Sequence, residues 1–206
     1  MTTDQFITLQ KTSEGLFKDR GSRFLGFAFP VSTVEEFMER LDELKKKYHD
    51  ARHHCYAYVL GEEGLEFRAN DDGEPSNSAG APILGQLRSA GLTNAGVVVV
   101  RYFGGTKLGV GGLVAAYKTA AAGAINNNRA ITVDILRHFV IEYGYESTNI
   151  VQRLFSGFEV KLTDQSFGDR CTVRVGVKKG QSGAFTSRLD EYIQAGTEIT
   201  YEEETE

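Results

Sequence analysis

The segment from Arg101 to Gly112, called here the glycine segment, combines glycine, basic and aromatic residues in a pattern that suits recognition of an anion. Glycine reaches positive φ angles without steric cost, and its missing side chain lets backbone amides approach a ligand. Arg101 and Lys107 add donors for a phosphate or a carboxylate. The segment precedes a predicted helix, whose N-terminus would present free N–H groups. The predicted binding residues of this segment are Arg101, Tyr102, Phe103, Gly104, Gly105, Lys107, Gly109, Gly111 and Gly112.

Two standard nucleotide-binding motifs do not fit the glycine segment. The P-loop ends in Gly-Lys-Ser/Thr, whereas Gly112 is followed here by Leu113. The dinucleotide fingerprint needs a third glycine three residues after the second, and counted from Gly109 and Gly111 that position is Val114. We therefore predict no cofactor. The glycines could equally serve tight turns and close packing of the helix that follows, and both interpretations stay open.

A second cluster, called here the acidic turn, covers residues 71–75. Its carboxylates, Asp71, Asp72 and Glu74, surround Gly73 and could hold Mg²⁺ or Ca²⁺ through oxygen ligands. The spacing is not that of an EF-hand loop. Aspartate is also common in turns because its side chain bonds the nearby backbone. A metal site is thus the less favoured of two interpretations.

Three adjacent residues, His53, His54 and Cys55, offer nitrogen and sulfur ligands. Adjacent residues on a strand point to opposite faces, so the three cannot share one metal ion. Zinc would also need further ligands that the sequence does not place nearby. Because Cys55 begins an apolar strand, its thiol is expected to be inert packing. His54 is kept as a candidate binding residue.

The elements around these clusters follow from hydrophobic spacing. Strands are predicted over residues 6–10, 16–18 and 24–29, followed by a helix capped by Ser32 with Glu35 completing a capping box. Apolar residues at helical spacing support that helix. Its last turn carries Lys45, Lys46 and Lys47, which suits a helix C-terminus, and an anion-binding patch is the alternative.

The rest of the first half is predicted as two strands over 55–60 and 65–69, a helix ending at Gly91, a buried strand over 97–100 and an alanine-rich helix over about 113–125. The second half reads strand, helix, strand, strand, helix, strand, which is the ferredoxin-like βαββαβ order. The sequence therefore predicts an α+β protein of two α/β-sandwich domains, over residues 1–133 and 134–206.

Composition excludes several classes of protein. The net charge is −5, yet residues 1–134 hold 15 Lys and Arg against 16 Asp and Glu, so bulk charge neither recommends nor excludes a nucleic-acid partner, which would need a local basic face. The N-terminus lacks a secretory signal and no apolar run could cross a bilayer. Two distant cysteines, Cys55 and Cys171, fit a reducing compartment. A cytoplasmic location is expected.

Three motifs in one order resemble those of the YigZ/IMPACT family. They are His54-Cys-Tyr-Ala-Tyr58, Asp71-Asp-Gly-Glu-Pro-Ser76 with Ala79-Gly80, and the glycine segment continued to Leu113. The resemblance covers roughly residues 15–125. Many members carry Gly-Thr-Ala-Gly where this chain has Asn77-Ser78-Ala79-Gly80. Asn can replace Gly at positive φ, and Ser keeps the hydroxyl, so the site is expected to persist.

The resemblance implies a first domain like elongation-factor-G domain IV and a second domain like elongation-factor-G domain V. It also implies a role in regulation, since eukaryotic members block activation of a kinase in the amino-acid-starvation response by competing for its co-activator. Those members usually carry a further N-terminal domain, which is not expected for this chain. The chain is therefore identified as resembling the bacterial-type members.

From residues and resemblance together we predict a non-catalytic binding protein linked to translation or the stress response. Its expected partner is RNA, the ribosome or a translation-associated protein, with no membrane association and no DNA sequence specificity. The alternative is a metal-dependent phosphoester hydrolase, in which Asp71, Asp72 and Glu74 hold the ion while Arg101 and Lys107 clamp phosphate. The first hypothesis is preferred because the sequence shows no recognisable pair of a nucleophile and a general base.

Overall fold

The computed structural model describes residues 4–204, which contain eleven strands, five α-helices and a short 3₁₀ helix. The strands are β1 Gln5–Leu9, β2 Ser13–Asp19, β3 Ser22–Pro30, β4 His53–Leu60, β5 Glu66–Asn70, β6 Ala95–Tyr102, β7 Ala130–Asp134, β8 Leu136–Tyr143, β9 Val160–Phe167, β10 Cys171–Lys178 and β11 Ile199–Glu204. The helices are α1 Val34–Lys47, α2 Gly80–Ser89, α3 Gly109–Asn126, α4 Thr148–Ser156 and α5 Lys179–Gln194. None of these described helices is long and apolar enough to cross a membrane.

The chain divides into two compact units, of which the first covers residues 6–133. Its main sheet has the strand order β2-β3-β6-β4-β5, and every neighbouring pair is antiparallel. Because β3 and β4 both run antiparallel to β6, they run parallel to each other, and α1 crosses back between them. The start of β3, the end of β6 and the end of α1 therefore lie at one end of the sheet.

Both faces of this sheet are buried at β6, which explains the apolar run Val97–Val100. Val97 and Val99 pack with α2 and α3, whereas Val98 and Val100 pack with α1. The period-2 alternation of a strand assigns Arg101 to the α2 and α3 face and Tyr102 to the α1 face. A basic side chain is thus carried into the interior by the register of an otherwise apolar strand.

Two predicted helix starts differ from the structure. Helix α1 is capped by Thr33, whose side-chain oxygen accepts the Glu36 N–H, and the Glu36 carboxylate accepts the Ser32 N–H in return. The predicted Ser32–Glu35 cap is therefore wrong by one residue, because both hydroxyls precede a glutamate by three positions. Helix α3 begins at Gly109 rather than Leu113, so the last glycines of the glycine segment form its first turn.

The second unit comprises residues 134–204 together with residues 4 and 5. Its sheet has the order β11-β8-β10-β9, with antiparallel neighbours throughout. Phe139, Ile141, Val173 and Val175 form one buried face and pack with α4 and α5 around Phe185. This is the ferredoxin-like βαββαβ arrangement. The α+β fold class predicted from the sequence is confirmed.

Candidate functional site

A buried ion pair joins the glycine segment to the acidic turn. Arg101 at the end of β6 donates from Nη1 to the Glu74 carboxylate at 2.6 Å, and the two side chains are only 8% and 4% exposed. The Arg101 guanidinium also lies over the rings of Phe24 and Phe103. We expected Arg101 to offer its charge to an external anion. The structure instead uses that charge internally, so Arg101 and Glu74 form a support beneath the surface.

Two further buried side chains complete this polar network. The Tyr117 hydroxyl on α3 donates to the same Glu74 oxygen at 2.7 Å. The Cys55 thiol lies 3.3 Å from the Tyr117 oxygen and 2.9 Å from the Asp71 carbonyl oxygen. Burial raises the pKa of Cys55 and likewise the pKa of Tyr117. The thiol is therefore held protonated as a packing group, which agrees with the sequence-based expectation for Cys55.

The Asp71 carboxylate caps the N-terminus of α2. One oxygen accepts the N–H groups of Ala79 and Gly80 at 2.9 and 2.8 Å, and the other accepts the Asn77 N–H at 2.8 Å. Helix α2 has no other side-chain cap. A carboxylate at this position satisfies otherwise unpaired backbone donors and complements the positive end of the helix dipole. Asp71 thus has a structural task that occupies both of its oxygens.

Substitution of Asp71 by alanine is expected to lower the free energy of unfolding by about 2 kcal/mol, because two partly buried N–H groups and one exposed N–H group lose their acceptor. Asp71→Asn should cost less, since an amide oxygen still accepts one set of these bonds. Urea titration followed by circular dichroism measures both changes. Asp164→Ala, in an exposed part of β9, is the control. A loss for Asp71→Ala no larger than the control's would contradict the capping role.

The residues after Asp71 adopt the left-handed conformations that the sequence requires. Asp72, Gly73 and Asn77 have φ angles of 42°, 84° and 59°. The prediction that Asn77 stands at a positive φ angle in place of glycine is confirmed. The Ser78 hydroxyl, fully buried, donates to the Pro75 carbonyl oxygen at 2.6 Å. The turn is consequently closed by its own backbone and side chains.

His54 lies on the opposite face of the sheet from Arg101. Its backbone N–H donates to the Asp72 carboxylate at 2.6 Å, and its imidazole Nδ1 lies 4.0 Å from the same carboxylate. Burial lowers the pKa of His54, while the charge of Asp72 opposes that shift. His53 points to the other face, where its Nδ1 lies 2.8 Å from the Asp72 carbonyl oxygen. The expectation that His53, His54 and Cys55 do not share a metal agrees with these opposite placements.

Each carboxylate of the acidic turn has a partner within the protein. Asp71 caps α2, Asp72 accepts the His54 N–H, and Glu74 pairs with Arg101. Within residues 4–204, no group of three His, Cys, Asp or Glu side chains is placed to hold a metal ion. Nothing in this geometry favours the alternative hydrolase, whose ion and phosphate clamp would need these same groups.

The outer part of the glycine segment is exposed. Phe103 and Val110 are 56% and 58% exposed. Lys107 lies between them in the sequence, is exposed, and forms no ion pair with any described residue. Helix α3 starts after Leu108 with no side-chain cap, so its first N–H groups face solvent. The segment therefore presents apolar, basic and backbone-donor groups together.

The glycines of this segment divide into two kinds. A Cβ atom on Gly104 would lie 1.9 Å from the Gly21 carbonyl carbon and 2.1 Å from the Ser22 nitrogen, so the segment is pressed against the β2–β3 hairpin. The Gly104 N–H also donates to the Ser22 hydroxyl at 3.1 Å. By contrast, a Cβ on Gly105, Gly109 or Gly111 would meet nothing within 4 Å. Close packing explains Gly104 but not Gly111, whose φ angle is not positive.

The structure thus brings the glycine segment and the acidic turn together, and it places Arg101, Glu74 and Asp71 beneath the surface. Tyr117, Ser22 and Val110 were not predicted as part of the site. Tyr117 carried a signal, because a tyrosine among the alanines of α3 must place its hydroxyl near a buried partner. Ser22 carried none, since its role depends on the approach of Gly104.

A family model described as the Impact N-terminal domain matches residues 20–125, more than half of the chain. The chain belongs to the IMPACT family. The matched range contains the acidic turn, the glycine segment and Tyr117, so the site lies in the part of the chain that this family shares.

Other IMPACT family members match nearly the whole chain. The member YvyE of Bacillus subtilis is 30% identical over 194 residues, which are 94% of this chain and 89% of that protein. The member YigZ of Escherichia coli is 28% identical over 185 residues, 89% of this chain and 91% of that protein. A crystal structure of a protein described as hypothetical superimposes with a TM-score of 0.71 at 25% identity, covering all of both chains.

Proposed function

We propose that this IMPACT family member is a non-catalytic regulatory protein that binds a component of the translation machinery through the outer part of the glycine segment. The observation that carries the proposal is the exposure of Phe103 and Val110 around Lys107, on a segment anchored by the buried Arg101–Glu74 pair. Exposed apolar side chains on a fixed backbone are the usual anchors of an interface.

The open glycines support the same proposal. Gly111 lies in the first turn of α3, where alanine would fit without contact and would favour the helix. A glycine kept at such a position leaves room for a partner's atoms to approach the backbone N–H groups. The free N–H groups and Lys107 suit a phosphate or a carboxylate on that partner.

The link to translation rests on the family. Membership implies, through the resemblance described above, a regulatory role in translation or the stress response. Candidate partners are the ribosome, RNA or a translation-associated protein, met in the cytoplasm. The ribosome is the partner to test first, since it offers both phosphate and protein surfaces.

Co-sedimentation with purified ribosomes tests the proposal. The variant Phe103→Ala/Lys107→Ala is expected to raise the apparent Kd about 30-fold, because it removes an apolar anchor and a cation from one surface. The matched control is Leu65→Ala/Lys118→Ala, which removes an exposed apolar side chain and an exposed lysine elsewhere in the same unit. Wild-type protein that never co-sediments, or equal effects of the two variants, would overturn the proposal.

A further inference from the structure

The α1 face of the main sheet ends in a row of basic side chains that the glycine segment does not include. Lys18 on β2 lies directly opposite Arg23 on β3, and Arg23 lies opposite Tyr102 on β6. Arg52 immediately precedes His53, the residue opposite Arg101. The Tyr102 hydroxyl donates to the carboxylate of Asp50, two residues before Arg52, so this part of the chain lies beside the end of β6. We call Lys18, Arg23 and Arg52 the cation row.

The pairing of Lys18 with Arg23 works against stability. Like charges directly opposite each other in an antiparallel pair repel. Both side chains are exposed, and within the described residues neither forms an ion pair. The Arg23 guanidinium lies 4.9 Å from the centre of the Tyr102 ring, which keeps it at the sheet surface. The carboxylate of Asp50 offsets part of the Arg23 charge, so the pair is only partly neutralised within the described residues.

Helix α1 delivers more positive charge to the same end of the sheet. Its last turn carries Lys45, Lys46 and Lys47, all exposed. Complementing the helix dipole accounts for these lysines alone, but not for Lys18, Arg23 and Arg52, which lie outside the helix. One acidic residue that interacts with this group is Asp50, whose carboxylate accepts the Tyr102 hydroxyl at 2.6 Å. That hydrogen bond, then the charges of His49 and Arg23, lower its pKa.

The positive and negative charges of this unit nearly cancel in sum, but they are unevenly distributed over its surface. Residues 1–134 hold nearly equal numbers of basic and acidic residues. Glu35 and Glu36 stand at the start of α1, at the other end of the sheet from the cation row. A near-neutral composition can still contain a local basic surface, and here Lys18, Arg23, Arg52 and the lysines of the last turn of α1 lie at one end of the sheet.

We infer that the cation row and the last turn of α1 bind the phosphate backbone of an RNA. Phosphate contacts need cations on a solvent-facing surface and little apolar area. A protein interface would instead place apolar or aromatic side chains at its centre, whereas here the aromatic ring of Tyr102 is partly buried and lies beneath Arg23. This inference deepens the proposed function, on which it rests, by naming RNA as a bound component and by adding a second surface.

Anisotropy of a fluorescein-labelled oligouridine of about 20 nucleotides, measured from about 50 to about 200 mM salt, tests the inference. The variant Lys18→Gln/Arg23→Gln/Arg52→Gln is compared with Lys11→Gln/Arg129→Gln/Lys118→Gln. The control removes the same charge from three exposed sites of the same unit. Removing three phosphate contacts should reduce the slope of log K against log salt by about 2 and weaken binding at least tenfold at the lowest salt, about 50 mM.

The cation-row variant should melt close to the wild-type temperature, because it removes the Lys18–Arg23 repulsion together with the Arg23–Tyr102 contact. Lost binding would then not reflect lost folding. Equal RNA binding by both variants, or no binding by wild-type protein, would overturn the inference. Competition by polyglutamate as strong as that by RNA would overturn it too, in favour of an acidic protein partner. The ribosome experiment with Phe103→Ala/Lys107→Ala tests the proposed function without involving the cation row. A failure of the RNA inference can therefore be told apart from a failure of the proposed function.

Discussion

Replacing Glu74 with alanine is expected to lower the free energy of unfolding by about 3–5 kcal/mol, the largest effect of any single substitution considered for this protein. The change leaves the Arg101 guanidinium buried without a counter-charge and removes the acceptor of the Tyr117 hydroxyl. A buried charge that loses its partner retains its full desolvation cost. Guanidinium denaturation followed by circular dichroism measures the loss.

Two further variants show whether the loss comes from the buried charge. Glu43→Ala removes a carboxylate from an exposed pair with Arg40 and should change stability by less than about 0.5 kcal/mol. Glu74→Gln/Arg101→Met removes both charges, keeps an oxygen for Tyr117 and keeps a long apolar side chain, so it should recover most of the stability. If Glu74→Ala proves as mild as Glu43→Ala, the pair is not the support described here.

The second large effect concerns two glycines of one segment that should respond in opposite directions. Gly104→Ala would push a Cβ into the backbone of Gly21 and Ser22, so it should cost about 2–3 kcal/mol and displace the glycine segment. Gly111→Ala meets no atom and should raise stability by about 0.5–1 kcal/mol. Thermal melting of both variants shows that the first loses stability and the second gains it, if the expectation holds.

A binding measurement shows whether Gly111 contributes to an interface or only affects the stability of the fold. Gly111→Ala should weaken ribosome co-sedimentation about tenfold despite its greater stability, because the added methyl group occupies the space left for the partner. A more stable protein that binds less well cannot be explained by misfolding. Unchanged binding by Gly111→Ala would mean that Gly111 does not border the interface.

The sequence predicted the fold because its local patterns agree with one another. Alternation in Cys171–Val177 predicted one buried face, and the order of elements predicted the ferredoxin-like sheet. The cap of α1 was wrong by one residue because Ser32 and Thr33 both satisfy the same local pattern. The start of α3 was wrong because glycine has low helix propensity, yet here the helix extends through Gly109, Gly111 and Gly112.

The site could be predicted only in outline. Its residues were selected by type and spacing, but whether Arg101 faces solvent or the interior depends on the register of β6 and on the helices above it. Alternation from Val97 and Val99 already implied the inward direction. Its pairing with Glu74, 27 positions away in the sequence, could not be predicted, because it requires the packing of the acidic turn against α3. The cation row was missed for the same reason, since it depends on strand register across β2, β3 and β6.

Amide hydrogen exchange of the protein with and without purified ribosomes tests most directly whether the glycine segment is a presented binding surface on a buried ionic support. We expect new protection in residues 102–112 and in the neighbouring hairpin tip near Gly21, with β5 and the end of α2 unchanged. Protection confined to β5 and α2, or a glycine segment that exchanges equally fast in both samples while the protein is bound, would contradict it.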